Sequence, residues 1–211
     1  MTSPLFPNFG SKNFGSTIFL VAIGAFLCLL TGLASGQTTK PLDGRPWEVG
    51  VLASGGFSVP GGTKDTKVID AGVRLGKVLT SDHFGSFVRG NFEYSADLMP
   101  VYYVFQPAPA VNAYGAAFNP VNLKWNFTSS ERTIPFLELG GGVLFSNHVV
   151  PNTTSRVNFI THGTLGLQFF NNQRRAFTAS VRYEHISNAG LTVPNPGVNT
   201  VQFLVGVNWF H

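Results

Sequence analysis

One His-x-Ser pair occurs in the chain, His185 and Ser187, within Tyr183-Glu184-His185-Ile186-Ser187-Asn188-Ala189-Gly190-Leu191. On a β-strand the side chains two residues apart share a face, so this spacing sets an imidazole beside a hydroxyl. A serine becomes a useful nucleophile when a base within reach takes its proton, and the base needs a third group to fix its tautomer. The segment Pro194-Asn195-Pro196-Gly197-Val198-Asn199 follows closely and offers Asn199 for that third role. His, Ser, Asn and Gly are equally at home where a strand runs into a polar turn. The surrounding elements must separate the two readings.

Period-two apolar patterns predict eight strands, at about 47–54, 68–79, 87–98, 113–127, 134–145, 157–170, 176–187 and 200–210. In the second, Ile69, Ala71, Val73 and Leu75 alternate with Asp70, Gly72, Arg74 and Gly76. In the eighth, Val201, Phe203, Val205, Val207 and Trp209 alternate with Gln202, Gly206 and Asn208. Pro120 interrupts the fourth and predicts a bulge or edge irregularity there.

Charged residues make up 11% of the chain, against roughly 25% in ordinary soluble proteins. Gly (24) and Phe (20) are abundant. The formal net charge of +4 is dispersed, with no Lys/Arg stripe of the kind that reads nucleic acid. Residues 1–36 carry one charge (Lys12), an apolar run from Ile18 to Leu30 and then small residues, the order of a secretory signal cleaved after Ala34 or Gly36. Stretched from Phe14 to Leu33, the same segment would suit an uncleaved anchor. Residues 37–46 read as a linker and 47–211 as one domain. The single cysteine, Cys28, falls within the signal, so the processed chain would have no disulfide, catalytic thiol or Cys-based zinc site.

The alternation has charged or glycine residues on its non-apolar face in strand after strand, including Arg89, Glu93, Lys124, Glu138, Arg182 and Glu184. In a soluble barrel that binds an apolar ligand, the apolar face would turn inward. In a membrane barrel it meets lipid, and the polar face fills the lumen. The connections after strands one, three, five and seven are read as long (55–67, 99–112, 146–155 and 188–199), and those after two, four and six as short. An even strand count with that alternation predicts an all-β, eight-stranded antiparallel transmembrane barrel, whose closure removes exposed sheet edges without disulfides. His185, Ser187 and Asn199 then share odd parity with the lipid-facing residues, near the long-loop rim. Polar groups facing hydrocarbon are costly without a purpose. An ester within a lipid is the natural substrate for such a site.

At His185-Ile186-Ser187-Asn188-Ala189-Gly190-Leu191 and Pro194-Asn195-Pro196-Gly197, the sequence resembles the PagL-type lipid A 3-O-deacylases, also grouped as acyloxyacyl hydrolases. The resemblance implies an eight-stranded outer-membrane barrel with a serine triad on its outer wall, acting on lipopolysaccharide in the outer leaflet. It implies Ser187 as nucleophile and His185 as base. It also implies an oxyanion site from the Gly190 backbone and Asn195, with Asn188 in support. No cofactor, metal or nucleic-acid partner is expected from the residues; a homodimer is one assembly open to such a barrel. The chain departs from the family at Asn199, where the better-studied members carry Glu. An Asn oxygen can accept the imidazole N–H but cannot neutralise an imidazolium, which predicts slower chemistry. Glu184 is no substitute, because its parity points it into the lumen. A non-enzymatic structural or adhesive barrel with a disabled third member is the competing reading. His148, His162 and His211 are isolated and show no metal-ligand spacing.

Overall fold

A computed structural model describes Leu42 and residues 44–211. The expected signal segment and most of the expected linker lie outside the described residues. Eight antiparallel strands close into a barrel in which each strand pairs with its sequence neighbours and β1 pairs with β8. They are β1 (Trp47–Ser58), β2 (Lys67–Val78), β3 (Gly90–Phe105), β4 (Ala113–Phe127), β5 (Thr133–Val150), β6 (Ser155–Asn172), β7 (Arg175–Ser187) and β8 (Val198–Phe210). One rim carries both ends of the barrel chain and is called the terminus end. The other, where β7 gives way to β8, is called the loop end.

Burial settles which face is inside. The apolar residues are exposed on the outer wall, Leu165 at 65% and Phe203 at 60%, whereas Lys124 and Arg182 are almost wholly enclosed at 0% and 1%. That inversion is the arrangement of a membrane barrel. The buried cations Lys124 and Arg74 are each held by two lumen carboxylates, since a buried charge is costly unless paired. Lys124 Nζ lies 2.9 Å from Glu48 Oε2 and 2.8 Å from Glu93 Oε1. Arg74 Nε donates to Asp97 Oδ1 at 2.7 Å, and its Nη1 lies 2.7 Å from Glu138 Oε2.

The lumen is not polar throughout. At the loop end it holds an apolar cluster that includes Val68, Tyr102, Leu144, Ile160, Ile186 and Val198. Ile186 and Val198 are fully buried there. Because side chains alternate, seating these two inward turns His185, Ser187 and Asn199 outward.

The expected irregularity at Pro120 appears as a register shift between Phe118 and Val121. Two expectations are corrected. The third strand starts at Gly90 rather than at Phe87, because Ser86–Val88 form a short 3-10 turn. The connection 79–89 between β2 and β3 is therefore as extensive as the loop 188–197. The connection between β5 and β6 shrinks to 151–154, because both strands run 18 residues, well beyond the roughly 9–11 needed to cross a bilayer.

Candidate active site

The site is built on the last pairs of the β7–β8 ladder. His185 lies directly opposite Asn199, and Ile186 opposite Val198. His185 Nδ1 is 2.6 Å from Asn199 Oδ1. An amide oxygen only accepts, so the proton resides on Nδ1 and Nε2 keeps its lone pair free to act as a base. The orientation of the amide is supported from its other side. Asn199 Nδ2 faces the Pro60 carbonyl at 3.5 Å, a neighbour that would repel an oxygen in the same place.

Pro60 belongs to the β1–β2 connection, residues 59–66, which packs over the site. Val59 N–H donates to the Asn199 carbonyl at 2.8 Å, and Thr63 N–H to the Gly197 carbonyl at 2.9 Å. Two glycines make this close fit possible. Gly197 has φ +64°, and a Cβ there would lie 2.9 Å from His185 Cε1. Gly61 has φ +105°, and a Cβ there would lie 2.7 Å from Asn199 Nδ2. Both conformations favour glycine on backbone grounds alone.

Ser187 is the last residue of β7, pairs with Phe159 of β6 and is half-buried on the outer face with His185. Among the described residues no hydrogen bond joins Ser187 Oγ to the imidazole. Catalytic hydrogen bonds are often long before substrate binds and tighten in the complex.

Asn188, fully buried, organises the loop that follows. Its Nδ2 donates to Thr192 O at 3.1 Å and Thr192 Oγ1 at 2.5 Å. Its Oδ1 accepts the Gly190 N–H at 2.8 Å, an Asx-type turn with positive φ at Ala189 and Gly190. The Asn188 N–H in turn donates to Asn195 Oδ1 at 3.2 Å. Asn195, with its oxygen engaged, keeps both amide protons to donate outward. The structure therefore links Asn188, Gly190 and Asn195 in one network. It holds the Gly190 N–H inside the turn, so that N–H would reach an oxyanion only by sharing with Asn188 Oδ1.

The remaining sequence candidates lie elsewhere. Glu184 is in the lumen, accepting from Tyr102 Oη at 2.5 Å and Gln202 Nε2 at 2.8 Å. His162 is also in the lumen, 3.8 Å from Glu138 Oε1, and His148 is exposed at the loop end of β5. Among the described residues no group of His, Cys, Asp or Glu side chains is placed to hold a metal ion. The sequence marks the β1–β2 connection as a long loop but gives no sign that it packs over the site. The Gly61-Gly62 pair within it reads as an ordinary turn.

The model of one protein family, Lipid A 3-O-deacylase (PagL), matches residues 91–208, a stretch that contains His185, Ser187, Asn188, Gly190, Asn195 and Asn199 but not the β1–β2 connection. Among solved structures, the barrel is similar to that of the outer membrane enzyme PagL, with a TM-score of 0.57 and 22% identity over 74% of this chain and 97% of that one. It is also similar to Neisserial surface protein A, with a TM-score of 0.52 and 12% identity over 78% of this chain and 96% of that one. At these identities the two likenesses speak for the fold. No curated protein matches by sequence. Nothing in these likenesses supports a homodimer.

Proposed function

This chain belongs to the Lipid A 3-O-deacylase (PagL) family, and from that premise we propose that it is a serine esterase of the bacterial outer membrane that removes the 3-O-linked hydroxyacyl chain of lipid A. The observation that carries the reading is the His185–Asn199 pair on the lipid-facing wall, one residue pair from Ser187. Secretion through a cleaved signal within residues 1–36 belongs to the same proposal.

Ser187 Oγ attacks the ester carbonyl carbon while His185 Nε2 takes the hydroxyl proton. The negative charge on the former carbonyl oxygen is met by the Asn195 amide protons, with the Gly190 N–H as a second donor. Collapse expels the sugar oxygen, which takes the proton from His185, and leaves the acyl chain on Ser187. Water then gives a proton to Nε2 and attacks the acyl carbonyl carbon; collapse breaks the bond to Ser187 Oγ, which takes the proton back from Nε2 as the 3-hydroxy fatty acid leaves. Asn199 holds Nδ1–H throughout. It supplies no charge to balance the imidazolium, so each proton transfer is slower than with a carboxylate in that place.

Expression in a host lacking such an enzyme, followed by mass spectrometry of its lipid A, tests the proposal. Loss of one hydroxyacyl chain that disappears with Ser187→Ala and with His185→Ala supports it. The neutral third member favours a second reading, a non-catalytic barrel. Unchanged lipid A beside a well-folded wild-type barrel would select that reading.

A further inference from the structure

The three tryptophans of the chain, Trp47, Trp125 and Trp209, all lie on outward positions of the terminus-end rim. Two of them carry cations: Lys77 Nζ lies 4.8 Å from the Trp47 ring centre, and the Arg175 guanidinium 5.6 Å from that of Trp209. Indole rings beside long basic side chains are the usual furniture of a membrane–water boundary.

The β2–β3 connection, residues 79–89, joins this belt at the third tryptophan. The Phe84 ring sits 5.7 Å from that of Trp125, and Gly90 leaves the space the indole occupies, since a Cβ there would meet Trp125 Nε1 at 2.6 Å. The connection thus folds against the outer wall of the barrel. Phe84 and Phe87 are nevertheless 77% and 81% exposed.

The connection that carries the two rings runs through an unusual backbone. Phe84 and Ser86 adopt φ +60° and +58°, a region that bulky residues seldom enter. The surroundings hold them there. His83 and Gly90 exchange backbone hydrogen bonds at 2.7 and 3.1 Å, Ser129 Oγ donates to Ser86 O at 2.9 Å, and Arg89 Nε donates to Asp82 Oδ2 at 2.9 Å. A braced turn that displays apolar rings, continuous with a lipid-facing wall and level with a tryptophan belt, has the chemistry of a bilayer contact.

We propose that the β2–β3 connection is a lipid anchor: Phe84 and Phe87 insert at the headgroup–acyl boundary of the leaflet that meets the terminus-end rim, and fix how deep the barrel sits. Its partner is a phospholipid surface, not a protein.

The test uses the full chain with its one cysteine replaced, Cys28→Ser, and a nitrobenzoxadiazole dye on Phe87→Cys, reconstituted into phosphatidylcholine vesicles. Heat-modifiable gel mobility confirms the fold. Gly85→Cys, which lies between the two rings with open space at its Cβ, supplies the same reading should the first variant not fold. The anchor predicts blue-shifted emission that nitroxide-bearing lipids largely extinguish and aqueous iodide leaves intact. Water-like emission quenched by iodide and untouched by nitroxide lipids would overturn it. So would a blue shift seen only when envelope proteins are added, since a protein would then cover the rings.

Discussion

His185 and Asn199 face each other across the last rungs of the β7–β8 ladder, Nδ1 2.6 Å from Oδ1, with nothing acidic within that contact. The pair orients the base without charging its partner. The first prediction follows from that distinction. Asn199→Glu should raise kcat by about tenfold with little change in KM, because a charge-assisted hydrogen bond is roughly twice as strong as a neutral one and each ~1.4 kcal/mol is a factor of ten. Asn199→Leu should lower kcat by roughly 10² or more, since the imidazole loses the group that fixes its tautomer. Steady-state kinetics on a lipid ester in micelles reads both. A Glu variant no faster than wild type would mean that the Pro60 carbonyl pushes the carboxylate out of line.

The glycines that admit the imidazole and the amide form a separate test. Gly197→Ala forces an L-residue to φ +64° and drives its Cβ against His185 Cε1. Gly61→Ala does the same towards Asn199 Nδ2. Each substitution should cost about 1 kcal/mol of stability or somewhat more and should lower kcat while the barrel still folds. Heat-modifiable mobility beside turnover separates the two effects.

Asn188→Ala should disable the loop without touching the ladder. It removes the acceptor of the Gly190 N–H and the donors to Thr192. Leaving such groups unpaired costs about 1–3 kcal/mol locally. Faster proteolytic nicking within residues 188–197 and loss of turnover, with an unchanged midpoint for barrel unfolding, is the expected result.

The lumen should behave in the opposite way. Lys124→Met strands Glu48 and Glu93 without their cation. Removing one partner of a buried ion pair typically costs about 3–5 kcal/mol. Ile186→Ala leaves a cavity in the apolar plug behind His185, at about 2–5 kcal/mol. Urea unfolding in micelles should show both losses. Lys124→Met should leave turnover intact wherever the barrel is folded, whereas Ile186→Ala should lower it by loosening the strand that carries His185.

The barrel and the outward parity of His185, Ser187 and Asn199 were legible because both depend on a strict period of two. Alternation over eight strands is redundant, so local irregularity at Pro120 or Ser86 does not erase it. What sequence could not convey was contact at long separation. The β1–β2 connection reaches Asn199 across 139 positions, through backbone carbonyls and N–H groups that carry no side-chain signature. The engagement of the Gly190 N–H by Asn188 is likewise a matter of turn geometry, which residue types alone leave open. The 3-10 turn at Ser86–Val88 was hidden because Phe87 and Val88 are strand-forming residues held in another conformation by their neighbours.

Trapping the acyl-enzyme reads the role of Ser187 without inference from rates. Purified barrel is mixed with lipid A, quenched early, digested, and the peptide containing Ser187 is weighed. A 3-hydroxyacyl group on Ser187 should appear before free fatty acid, decay as fatty acid is released, and be absent with His185→Ala. Fatty acid released with no acyl group on that peptide, or released equally by Ser187→Ala, would contradict a nucleophilic Ser187.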